Sequence, residues 1–145
     1  MMRKLLFFSL LIFLTACNNP GKFTVAGTIA GADGKTLYFE KTGLVSDSLL
    51  DSIKLNTNGN FTFKTAIPEY PDLYRLKLGN QLLVLAADST TKKIEINGKS
   101  EDLLTAEIKG SVQSEEIQKL RKSVIHLQNE ADQLRFAKNP EQSKQ

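Results

Sequence analysis

From Phe23 to Gly110 apolar and polar residues alternate run after run, and this period of two constrains the fold more than any other feature of the chain. Phe23, Val25, Gly27 and Ile29 alternate with Thr24, Ala26 and Thr28, and Leu37 and Phe39 flank Tyr38. Ile53 and Leu55 flank Lys54, Phe61 and Phe63 flank Thr62, Tyr74, Leu76 and Leu78 are separated by Arg75 and Lys77, and Ile94 and Ile96 flank Glu95. Successive side chains of a strand point to opposite faces, so each run supplies one face to a core and one to water. Leu82 to Ala87 (LLVLAA) is continuously apolar and is expected to be the most central strand, with Leu103 to Ile108 as the last one. Asp33-Gly34, Asn58-Gly59, Gly79-Asn80 and Asn97-Gly98 fall between runs and are expected to form tight hairpin turns. Pro68 and Pro71 mark a loop, where a missing amide donor costs nothing. No helical pattern interrupts the runs. The expected fold is therefore mainly β, an antiparallel β-sandwich or curled sheet over residues 23–111.

After Gly110-Ser111 the period changes. Ile117, Leu120, Val124, Leu127, Ala131 and Leu134 are spaced 3, 4, 3, 4 and 3 residues apart, a heptad pattern that predicts one C-terminal amphipathic α-helix over residues 112–139. Ser114 is the expected N-cap, with Glu115 and Glu116 at the positive end of the helix dipole. Pro140 ends the helix, leaving 140–145 as a disordered tail. The simplest expectation lays the apolar stripe on the sandwich. The alternative keeps Ile117, Leu120, Val124, Leu127 and Leu134 for an envelope protein partner or for self-association.

The N-terminus carries a different signal. Basic Arg3 and Lys4 precede ten residues, Leu5 to Leu14, of which only Ser9 is polar, and small Thr15 and Ala16 lead to Cys17. This is the layout of a secretory signal, and at 1.5 Å per residue the apolar run does not span a hydrocarbon core of roughly 30 Å. Leu14-Thr15-Ala16-Cys17 resembles the lipobox of bacterial lipoproteins, in which the cysteine sulfur is alkylated by a diacylglycerol and the chain is cut before it. The expected organisation is a signal peptide (1–16), a lipidated tether (17–22), the β domain (23–111) and the helix. Acyl chains such as palmitate on Cys17 then hold the protein on a membrane, each buried CH₂ contributing about 0.8 kcal/mol. Between Cys17 and Asp33 there is no acidic residue.

Residue types restrict the chemistry further. The net charge of +3 points to an acidic partner at first sight, but the leader takes Arg3 and Lys4 of the 19 basic residues, leaving 17 against 16 acidic ones. Nucleic-acid binding is not expected from that balance. A single cysteine excludes an intramolecular disulfide and a Cys-x-x-Cys redox pair. His126, the one histidine, falls off the apolar stripe and is expected in solvent. Neither a zinc site nor a catalytic triad is expected from one histidine. Asn56, Asn58 and Asn60 around Gly59 lack the acidic ligands of a calcium loop, and Gly98-Lys99-Ser100 lacks the earlier glycine of a phosphate loop, position 93 being lysine. Tyr38, Tyr70 and Tyr74 are expected to pack in the core or on a sheet face. The chain is expected to be no enzyme and to hold no metal or cofactor.

Several segments in order resemble one known family. They are Phe23-Thr24-Val25-Ala26-Gly27-Thr28-Ile29, Leu37-Tyr38-Phe39, Asp51-Ser52-Ile53, Asn58-Gly59-Asn60-Phe61-Thr62-Phe63, Tyr74-Arg75-Leu76 and Ile108-Lys109-Gly110-Ser111. Together they look like the domain of unknown function found N-terminal to thioredoxin-like domains in bacteroidete lipoproteins. That resemblance implies a sandwich followed by a helical linker. In those lipoproteins surface export goes with acidic residues just after the lipidated cysteine, so their absence after Cys17 implies, by the same resemblance, the outer membrane with the domain facing the periplasm. The resemblance does not carry over thiol–disulfide activity, because the sequence ends at Gln145 with no thioredoxin domain and no second cysteine. Three roles follow as expectations. The first is a membrane-anchored, non-catalytic accessory or binding module of the cell envelope. The second is a truncated or detached N-terminal domain of a thiol–disulfide oxidoreductase lipoprotein. The third is a structural or self-associating spacer.

Overall fold

A computed structural model describes residues 21–138. The leader, the lipobox residues Leu14, Thr15, Ala16 and Cys17, and the tail 140–145 lie outside the described residues. The elements in chain order are β1 (Lys22–Ala30), β2 (Thr36–Lys41), β3 (Ser48–Lys54), β4 (Asn60–Ala66), β5 (Asp72–Leu78), β6 (Gln81–Ala87), β7 (Lys93–Lys99), β8 (Asp102–Lys109) and α1 (Val112–Lys138). The strands form two four-stranded sheets, in the orders β4-β1-β7-β8 and β3-β2-β5-β6. The fold is mainly β with one C-terminal helix, as the alternation predicts.

The alternating residues are what the two sheets bury against each other. Phe23, Val25 and Ile29 of β1, Leu37 and Phe39 of β2, and Ile94 and Ile96 of β7 are fully buried. Aromatic rings cross between the sheets. Phe39 stacks on Phe63 at 5.4 Å between ring centroids, and Phe23 meets Tyr74 edge-on at 5.2 Å. Such pairs add about 0.5–1.5 kcal/mol beyond their buried area. Of the three tyrosines, Tyr74 is in this core, whereas Tyr38 and Tyr70 are exposed. Burial pushes the Tyr74 phenol up.

Connectivity departs from the sequence expectation in three places. LLVLAA is not the central strand but β6, at the edge of its sheet. It is apolar on both faces because the sandwich covers Leu83, Leu85 and Ala87 while α1 packs along the same strand, where Ala86 is buried. Second, of the four expected hairpin turns, Gly79-Asn80 alone joins two paired strands, β5 and β6, with Gly79 at φ 59°. Asp33-Gly34 and Asn58-Gly59 carry the chain from one sheet to the other, and Asn97-Gly98 lies inside β7 where the register with β8 shifts. Third, β1 pairs with β4 antiparallel but with β7 in parallel, Val25 opposite Ile94. At the end of the sandwich bearing the β5–β6 and β7–β8 turns, Gln81 laces the sheets together. Its amide nitrogen donates to the Ser100 carbonyl at 2.8 Å and its oxygen accepts from the Leu103 amide at 2.6 Å.

Both sheets have an edge on one side of the sandwich, β6 in one and β8 in the other, and α1 packs against those two strands. That placement sets the geometry of the candidate site.

Candidate functional site

The start of α1 is built by polar side chains. Ser111, not Ser114, is the N-cap: its Oγ accepts from the Ser114 amide at 3.2 Å and its carbonyl accepts from the Glu115 amide at 3.0 Å. The Glu115 carboxylate turns back to accept from the Gly110 amide at 2.9 Å. Ser114 is thereby released for a different task. The Ala86 amide of edge strand β6 donates to Ser114 Oγ at 2.8 Å, and Ser111 Oγ donates to the Ala86 carbonyl at 2.6 Å. One turn on, Gln118 Nε2 donates to the carbonyls of Leu104 (2.5 Å) and Ala106 (2.9 Å) on β8. Ser111, Ser114 and Gln118 are all buried. Sheet edges present rows of backbone donors and acceptors that invite pairing with another chain, and these side chains occupy part of both rows.

A second set of hydrogen bonds holds the β6–β7 loop to the same place. Asp88 Oδ1 accepts from the amides of Thr90 (2.9 Å) and Thr91 (3.1 Å) and from both hydroxyls, while Oδ2 accepts from Gln113 Nε2 of α1 at 3.0 Å. Hydrogen bonding to the charged form, led by Thr90, lowers the Asp88 carboxyl to about 2.

The apolar stripe of α1 is elsewhere. Leu120, Val124, Leu127 and Leu134 are 67%, 44%, 63% and 66% exposed, Ala131 is exposed and Ile117 is half-buried. The expectation that this stripe lies on the sandwich is therefore corrected. At 3.6 residues per turn the stripe is about a third of a turn away from the docked residues Ser114, Gln118 and Ile125. The reason is chemical: α1 packs over two sheet edges, whose peptide groups require hydrogen-bonding partners rather than leucine. From His126 to Arg135 every residue is exposed, so this stretch projects beyond the sandwich. His126 sits there with Nδ1 3.6 Å from the Glu130 carboxylate. A shallow groove of about 480 Å³ runs between the stripe and β8, lined by Leu104, Ile117, Leu120, Val124 and Ile125.

The docking residues carry a signal of their own. Ser111, Ser114, Gln118 and Ile125 are spaced 3, 4 and 7 residues apart, a second heptad-like stripe that hydrophobicity alone does not register. A second apolar surface also escapes the alternation. Leu44 and Val45, almost wholly exposed in the β2–β3 loop, and Leu49 of β3 lie toward the sheet edge opposite α1. Beside them Arg75 pairs with Glu40 and, at 2.6 Å, with Asp47, and Glu40 above all holds the guanidinium above its ordinary value.

Among the described residues, no three His, Cys, Asp or Glu side chains gather into a metal site, and no helix is long and apolar enough to cross a membrane. A family model described as Domain of unknown function (DUF4369) matches residues 23–117. The chain belongs to this family. No curated protein and no solved structure matches it. The DUF4369 match takes in the whole sandwich and the polar start of α1. It stops at Ile117, where the apolar stripe begins, so Leu120, Val124, Leu127 and Leu134 lie past the DUF4369 segment.

Proposed function

We propose that this DUF4369 protein is a membrane-anchored lipoprotein of the cell envelope, acting as a non-catalytic accessory or binding module whose contact surface is the outer stripe of α1. The observation that carries this reading is the inverted seating of the helix: polar side chains dock it, and its apolar residues face outward. A stripe of exposed Leu and Val on a soluble domain marks an interaction surface. The polar groups best placed for chemistry are already engaged in structure, Asp88 in holding its loop and Ser111, Ser114 and Gln118 in covering sheet edges. The lipobox Leu14-Thr15-Ala16-Cys17 supplies the anchor, and the lack of acidic residues just after it favours the outer membrane facing the periplasm.

The anchor is tested by mass spectrometry of protein from native envelopes, where residue 17 should be the acylated N-terminus; an unmodified Cys17 still joined to its leader overturns it. The contact surface is tested by a photo-reactive side chain at Leu127 in the same membranes. Protein adducts are expected from position 127 and none from Asn129 on the opposite face of α1. Equal yields from the two positions would contradict the assignment.

A further inference from the structure

We infer that the occupant of the α1 stripe is a second copy of this chain, forming a parallel two-stranded coiled coil; this rests on the contact surface proposed above and names its partner. Placing Ile117 at heptad position a makes the core positions Ile117, Val124 and Ala131 at a, and Leu120, Leu127 and Leu134 at d. Two of the three a positions are β-branched and all three d positions are leucine, the arrangement that favours two parallel strands.

The flanking charges agree. Positions g are Glu116, Ser123 and Glu130, and positions e are Arg121, Gln128 and Arg135. In a parallel pair each g residue faces the e residue of the next heptad on the other helix. Glu116 then meets Arg121 of the second copy, Glu130 meets Arg135, and the uncharged Ser123 meets Gln128. An antiparallel pair would set g against g and e against e, placing acid beside acid and arginine beside arginine. The pattern is thus complementary to itself in one orientation only.

The docked geometry leaves room for this partner. The seam is about a third of a turn from the face held by Ser114 and Gln118, so two sandwiches would stand on opposite sides of the helix pair. The stretch from His126 to Arg135 buries no side chain against the sandwich, and a helical segment of that length without packing is marginal in water. Pairing supplies what it lacks. The seam from Ile117 to Leu134 is only about 27 Å long, short for a coiled coil between freely diffusing chains. Anchoring on one membrane face raises the local concentration and presents both helices in the same direction.

The test uses the acylated full chain in native membrane vesicles, where the thioether at residue 17 leaves an introduced cysteine as the one free thiol. Leu134→Cys at a terminal d position should yield a covalent dimer on mild oxidation, because parallel helices bring that residue opposite itself, whereas antiparallel ones put it at the far end. Gln133→Cys, on the outer face at the same height, should remain monomeric and also reports any dimer made through an unacylated Cys17. In the Leu134→Cys background, Glu130→Arg should abolish the dimer and Glu130→Arg with Arg135→Glu should restore it, since a compensating swap within one chain rescues only a contact with itself. Leu134→Cys dimer no greater than that of Gln133→Cys overturns the parallel pair of copies, while adducts from Leu127 would leave the contact surface standing. Dimer that survives Glu130→Arg unchanged overturns the parallel charge register.

Discussion

The sandwich and the helix use apolar residues in opposite ways. In the sandwich, Phe23, Phe39, Phe63 and Leu76 point inward and the polar residues between them face water. In α1, Ser114 and Gln118 point inward and Leu120, Leu127 and Leu134 face water. The difference lies in what each meets. A strand in the interior of a sheet has its peptide groups paired by neighbours, so its side chains are free to be selected for packing. The helix meets two sheet edges whose peptide groups still need partners, and there a hydroxyl or amide stabilises more than a methyl group. A buried side chain is chosen by the surface it lands on, and hydrophobicity is only one way of satisfying that surface.

Substitutions should separate the two regions, beginning with the largest effect. Phe39→Ala removes a ring stacked between Phe63 and Tyr74, and should cost about 3–5 kcal/mol in denaturant-unfolding experiments. Gln118→Ala takes the donors from two β8 carbonyls and should cost about 1–3 kcal/mol, with amide exchange rising first in α1. Leu127→Ala, in contrast, should leave the unfolding free energy of the monomeric protein within about 0.5 kcal/mol, because its side chain meets solvent there. A large loss from this last change would place the stripe inside the fold and erase the contrast.

The smallest effect is electrostatic. The Asp88 carboxyl is lowered in the folded protein, so the stability it contributes is present above its ordinary value of 3.8 and is lost as pH falls through about 2. Unfolding curves taken down that range should show wild type losing more stability than Asp88→Asn. Parallel acid profiles would show that the loop-to-helix link through Gln113 does not depend on the charge.

What the sequence makes legible follows the same division. Inner-face residues such as Val25, Leu37, Phe61 and Ile96 are readable because alternation reports the two faces of a strand directly. Strand order is not readable in this way. Residues 82 to 87 look central because they are apolar on both faces, yet burial by a helix and burial by neighbouring strands leave the same composition. Asp33-Gly34 and Gly79-Asn80 have equivalent turn chemistry, but the first crosses between sheets and the second closes a hairpin, a choice made by distant pairings. The heptad stripe at Leu120 and Leu127 is plain in the sequence; which side of α1 meets the sandwich depends on unpaired edge groups that appear only once the strands are assembled.

The Ala86 amide offers the most direct test of the helix's inverted seating. Its hydrogen exchange should be slow in the wild type and in Leu120→Gln, and at least about ten-fold faster in Ser114→Ala, where the accepting hydroxyl is gone. Fast exchange in Leu120→Gln together with continued protection in Ser114→Ala would mean that leucine, not serine, holds α1 to the sandwich.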